Sequence, residues 1–160
     1  MASRKLSTNE EWEARKVFFS GSLPYERIYI SNGLGIGGAP YTLRQALDYV
    51  IHLGHDGYKN ALASFGLKAT FIHELVHVWQ GHNSTFPWGF IFNSVYHQGK
   101  SILSTGSRSG AYQYTLGNKW SDYNVEQQAN IVEDWYIGGM KEKGDPAFGY
   151  IQDNIRKSKK

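Results

Sequence analysis

Apolar residues along this chain gather into blocks parted by Gly, Pro and Asn, and the densest block is Thr70-Phe71-Ile72-His73-Glu74-Leu75-Val76-His77-Val78-Trp79-Gln80. Its apolar members would cover nearly every side of a helix, which predicts a buried α-helix over residues 67–80, closed by Gly81. A second helical pattern covers 125–137, opened by Asp122-Tyr123-Asn124 and stopped by Gly138-Gly139. Near the start, Thr8 with Glu11 three residues on reads as a capping box for a short helix to about residue 18. Asp145-Pro146 predicts the last helix, with Asp as cap and Pro at the first helical position.

Strand patterns are shorter. Arg27-Ile28-Tyr29-Ile30 is one, and Tyr49-Val50-Ile51-His52-Leu53 another, expected as the edge strand beside a cleft. Residues 42–47 fit helix and strand equally, 56–65 read as a short helix or turn, and 111–115 as a short strand. The apolar run 86–92 is expected to pack over the core or rim a pocket, and the Gly- and Ser-rich 98–110 to form a loop. Asn32-Gly33-Leu34-Gly35-Ile36-Gly37-Gly38 lacks the Gly-Lys-Ser/Thr ending of a phosphate loop and reads as a plain connection.

A chain of 160 residues with no repeat and no linker suits a single domain over 1–160. Hydrophobic content of 41% against 19% charged argues against general disorder. The chain has no Cys, which removes disulfides and thiolate metal sites, so any metal must be held by His, Asp or Glu. The net charge of +3 draws heavily on Arg156-Lys157-Ser158-Lys159-Lys160. Such a tail reads as a solvated helix end, and nucleic acid is not an expected partner. No apolar run approaches the roughly 18 residues of a membrane span. The opening residues 1–11 lack the apolar centre of a signal peptide, so work outside the producing cell would need another delivery route.

The chemistry lies in His73-Glu74-x-x-His77. Residues i and i+4 share one helix face, so both imidazoles can reach a common atom. Zinc takes such nitrogens readily, and a catalytic zinc keeps three protein ligands and one open position. Glu74 can then serve as general base. Hydrogen-bonded core histidines beside a surface carboxylate would be the plain alternative, but burying those groups is costly unless something engages them.

A third ligand is required. His82 is nearest, but the metzincin pattern would need Gly at position 80 and His at 83, where this chain has Gln80 and Asn83. Apart from Met1 the chain has only Met140, far from a Met-turn position. Glu126, near the start of an amphipathic helix, is the better candidate. Asn130 and Asp134, one and two turns on, are expected to orient the histidines from behind, and Glu133 to be a solvated helix charge. An oxyanion donor is also needed; His97, Tyr112, Tyr114 and Tyr123 are eligible, and Tyr114 falls just before the Glu126 helix.

H-E-L-V-H-V-W-Q, with N-V-E-Q-Q-A-N placing Glu126 49 residues beyond His77, resembles the gluzincin arrangement of His, His and Glu. More narrowly, it resembles small zinc-metallopeptidase toxin domains at the C termini of bacterial type VI secretion spike proteins. Ser22-Leu23-Pro24-Tyr25-Glu26-Arg27-Ile28 and Pro40-Tyr41-Thr42-Leu43 add to that likeness, which spans about residues 17–137. The resemblance implies an α+β fold of minimal zincin type: a small sheet, a central H-E-x-x-H helix and a Glu-bearing helix packed on it. It implies Zn²⁺ held by His73, His77 and Glu126, with Glu74 as base. It also implies a peptidase toxin delivered by a secretion machine, with the target-cell periplasm as a place of action. Its partners would be a peptide or protein substrate and a cognate immunity protein. Asn130 stands where larger gluzincins commonly have Asp. The alternative from another class is a non-catalytic zinc-containing binding module, against which the presence of Glu74 argues.

Overall fold

A computed structural model of the chain describes residues 1–83 and 113–157. Ser7, in extended conformation, caps the first helix α1 (Thr8–Ser22) in a capping box closed by Glu10. The expected box was one residue later, Thr8 with Glu11. Glu10 wins because its carboxylate also holds the Arg4 guanidinium through two 2.8 Å contacts and the Ala61 amide at 3.0 Å. Burial pushes this carboxyl up, but Arg4 and the backbone amides outweigh that and hold it below the usual range.

Strands β1 (Ser3–Lys5), β2 (Ile28–Ser31), β3 (Tyr41–Gln45) and β4 (Asp48–His52) form one mixed sheet in the order β1-β2-β4-β3. The fold is α+β. β4 pairs in parallel with β2 and antiparallel with β3, so it is an inner strand. The edge beside the long helix is β3, not the 49–53 strand. The inner position explains the unbroken burial of Tyr49 to His52, as in strands covered on both faces. The ambiguous 42–47 segment resolves as strand because its backbone groups complete the β4 ladder.

Helix α2 (Gly54–Lys59) leads into α3 (Phe65–Asn83), whose first turn is capped by Ser64, its hydroxyl accepting from the Leu67 amide at 3.1 Å. Phe71, Ile72, Leu75, Val76 and Val78 are wholly buried, so α3 is the central helix that its pattern predicts. It runs past Gly81 to Asn83, because the Asn83 amide donates to the carbonyls of Trp79 and Ser22 and so satisfies the end. Helix α4 (Val125–Ile137) matches its predicted bounds, with a capping box of Asn124 and Gln127. Residues 113–115 form no strand: their carbonyls accept from α4 and its approach, Gln113 from the Gln127 side chain and Thr115 from the Tyr123 hydroxyl. Predictions for 86–92, 98–110 and 111–112 fall outside the described residues.

At the C-terminal end a single helical turn (Phe148–Tyr150) continues into a π-turn (Ile151–Ile155). Asp145 caps only the Ala147 amide, and the helix itself begins three residues after Asp145. Ile151 and Ile155 enter the same core as Val17 and Phe18 of α1 and Ile131, Val132 and Trp135 of α4. Among the described residues no helix is long and apolar enough to cross a membrane.

Candidate metal centre

His73 and His77, one turn apart on the inner face of α3, meet Glu126 from the first turn of α4. The Nε2 atoms of His73 and His77 lie 3.0 and 3.1 Å from the two Glu126 carboxylate oxygens. These separations are close to those of two ligands bound at about 2.0–2.2 Å to one ion. All three residues are buried, at 0%, 2% and 4% exposure, and their ligand atoms lie within 4.8 Å of one another. His77 Nε2 and Glu126 Oε1 are buried and lie within ion-pairing distance of each other, without a well-aligned hydrogen bond. Two imidazoles and one carboxylate buried together, with their ligand atoms converging, make a costly arrangement for the protein alone and a fitting one for a cation.

The charge balance argues the same way. Burial pulls His73 down, but Glu126 and Glu133 outweigh it and push it up to about 10. His77 is likewise raised, by Glu126 against burial. Burial raises Glu126, yet His77 and His73 hold it far below the usual carboxylate range. The buried carboxylates thus require positive charge, which protons on the imidazoles supply in the metal-free protein and a divalent cation would supply in their place.

The outward nitrogens are fixed as well. His73 Nδ1 lies 3.1 Å from Glu133 Oε2, and His77 Nδ1 lies 2.8 Å from Gln80 Oε1. With those groups accepting from Nδ1–H, Nε2 of each ring is left bare for a metal. Gln80 does more: its Nε2 donates to the Val125 carbonyl at 2.9 Å and to Gln128 Oε1 at 3.0 Å, tying α3 to the turn that carries Glu126.

Glu133 is therefore no solvated helix charge. Its phase gives the reason: seven residues after Glu126, it lies within about 20° of the same helix face, whereas Asp134 is rotated by about 80°. Asp134 instead accepts from the Tyr114 hydroxyl at 2.5 Å. Asn130 lies part-buried between them. His82, five residues after His77 and so turned by about 140°, stands outside the cluster, its ring edge-on to Tyr49 with centroids 6.4 Å apart. Tyr123 is buried and donates to the Thr115 carbonyl, while His97 and Tyr112 lie outside the described residues. Glu74 is wholly buried on the same helix and ligates nothing in the cluster.

Replacing Glu133 with Gln should weaken metal affinity about 10- to 100-fold, since the imidazole loses the anion that orients it and raises its basicity. Competition against a coloured chelator reads this directly. Affinity equal to wild type would show that Glu133 plays no part in holding the ion.

No family model matches the chain. Its sequence is 29% identical, over 174 aligned positions, to the type VI secretion system spike protein VgrG2b of Pseudomonas aeruginosa. The match covers 97% of this chain and 14% of that protein, so the chain spans about a seventh of its relative's length. The effector domain of VgrG2b, a solved structure, superposes with a TM-score of 0.60 at 26% identity, covering 98% of this chain and 85% of that one. Along nearly its whole length, then, the chain is similar in both sequence and fold to a type VI secretion effector domain.

Proposed function

We propose that this chain is a metal-dependent peptidase, the toxic domain of an effector carried by a type VI secretion spike. The observation that carries the reading is one buried cluster of His73, His77 and Glu126 with a buried, non-ligating Glu74 on the same helix. Zinc, favoured by two nitrogens and one carboxylate in a site without sulfur, would when bound supply a Lewis acid for the scissile carbonyl and would acidify water. Glu74 is the general base: it follows the first ligand on the same helix and its Oε1 makes no hydrogen bond among the described residues. Glu133 and Gln80 keep the imidazoles in one tautomer and orientation. Tyr114 is the proposed oxyanion donor; its hydroxyl donates to Asp134 in this structure and would exchange that bond for one to the developing oxyanion.

A structural metal site has no use for a carboxylate beside its first ligand, which favours an enzyme over a binding module. The likeness to the VgrG2b effector domain supports delivery by the spike. On this reading the substrate is a peptide or protein of the target cell, met in its periplasm, and the producing cell is guarded by an immunity protein that blocks the cleft.

The test is to express the wild-type domain in a bacterial host, once in the cytoplasm and once behind a periplasmic leader, and to incubate the pure protein with labelled casein. Growth arrest from the periplasmic form is expected, with casein cleavage that a chelator stops and added zinc restores. Harmless expression in both compartments, with intact casein, would remove the peptidase reading.

A further inference from the structure

Thr42 is a wholly buried polar residue on the edge strand β3. Its place follows from register: it is paired with Ile51 of β4, a core residue of zero exposure, and cross-strand partners point to the same face. The hydroxyl is therefore turned inward, against α3. There Thr42 Oγ1 lies 2.8 Å from Glu74 Oε2 and 3.2 Å from the Glu74 main-chain carbonyl oxygen. A hydroxyl has one proton to donate. The shorter contact, to a carboxylate, is the stronger of the two.

The other carboxylate oxygen, Oε1, is buried and partnerless. The two oxygens of one carboxylate thus have different fates, one tied to the sheet and the other left open. A carboxylate without that tie would turn about its last bond, a soft torsion with broad minima.

We propose that Thr42 is the positioning residue of the general base, its hydroxyl donating to Glu74 Oε2 so that Oε1 alone faces the attacking water. This rests on the peptidase reading. The metal cluster is assembled entirely from α3 and α4. Thr42 is thus the point at which the sheet, rather than the helices, sets the geometry of the reaction.

The experiment compares Thr42→Val, Thr42→Ser, Glu74→Gln and the double variant Thr42→Val/Glu74→Gln. Metal content and thermal midpoint are measured for each, with labelled casein and the best-cut member of a quenched-fluorescent peptide library as probes. Thr42→Val keeps the branched shape but has no hydroxyl, and is expected to lower kcat about 10- to 100-fold, the usual worth of a hydrogen bond to a charged group. KM should stay within about threefold, because the lost contact is not one made to the substrate. Metal content should remain at one ion per chain. Thr42→Ser, which restores the hydroxyl, should recover most of the activity. In the Glu74→Gln background, Thr42→Val should cost nothing further, since the two act as one unit. Should Thr42→Val fail to fold, Thr42→Ala carries the same comparison.

Wild-type kcat in Thr42→Val, with Glu74→Gln inactive, would reduce Thr42 to packing and overturn this inference alone. An equal loss in the Glu74→Gln background would show that Thr42 acts through some other group. A wild-type protein that cuts neither probe, or a fully active Glu74→Gln, would take down the peptidase reading and this inference with it.

Discussion

Glu126→Ala should abolish metal binding, taking the protein from one ion per chain to none. The two histidines would remain on α3, but two ligands do not make a catalytic zinc site. The loss should exceed the roughly 10- to 100-fold expected of an orienting residue such as Glu133. Thermal stability gives an independent readout. A ligand bound only by the folded state, free at about a thousand times its dissociation constant, stabilises by about 4 kcal/mol. Added zinc should therefore raise the melting midpoint of the wild-type protein by several degrees and leave Glu126→Ala where it was. His82→Ala should behave as wild type, because its ring stands against Tyr49 and outside the cluster. Full zinc retention in Glu126→Ala, with loss in His82→Ala, would reverse the assignment.

The ease with which each part of this site can be read from sequence follows the range of the interaction that makes it. His73 and His77 are one turn apart on one helix, so their spacing alone puts them together. Glu126 is distant in sequence, but its place in the capped first turn of an amphipathic helix marked it as a carboxylate able to reach across. Glu133 carries a signal as well, the i+7 phase from Glu126, which distinguishes it from Asp134. Gln80 had a signal too, the i+3 spacing from His77 that sets two side chains close on a helix. Thr42 had none. Its contact with Glu74 depends on the pairing of β3 with β4, and residues 42–47 carry no clear strand pattern of their own. The misplaced edge has the same origin: which of two adjacent strands is outermost is decided by the parallel partner β2, which local pattern does not reveal.

The same logic separates catalysis from metal holding at Glu74. It lies between the two histidines in the motif, yet its carboxylate is not among the ligand atoms that converge, and its polar partner is on the sheet. Glu74→Gln keeps size and shape, and the amide oxygen can still accept from Thr42. The substitution is isosteric, and a buried carboxylate oxygen without a partner becomes a buried amide nitrogen in the same place, so fold and thermal stability should change little. Zinc content should be unchanged. If Glu74 is the base, as proposed, what disappears is proton transfer, and positioned general-base catalysis typically contributes about 10²- to 10⁴-fold, so casein cleavage and periplasmic toxicity should drop by that order. This pairing of intact metal with lost activity is what a binding module would not produce. If Glu74→Gln arrests growth as strongly as wild type while holding its zinc, the harm does not come from hydrolysis. The metal would then be a structural element of a surface that acts by binding.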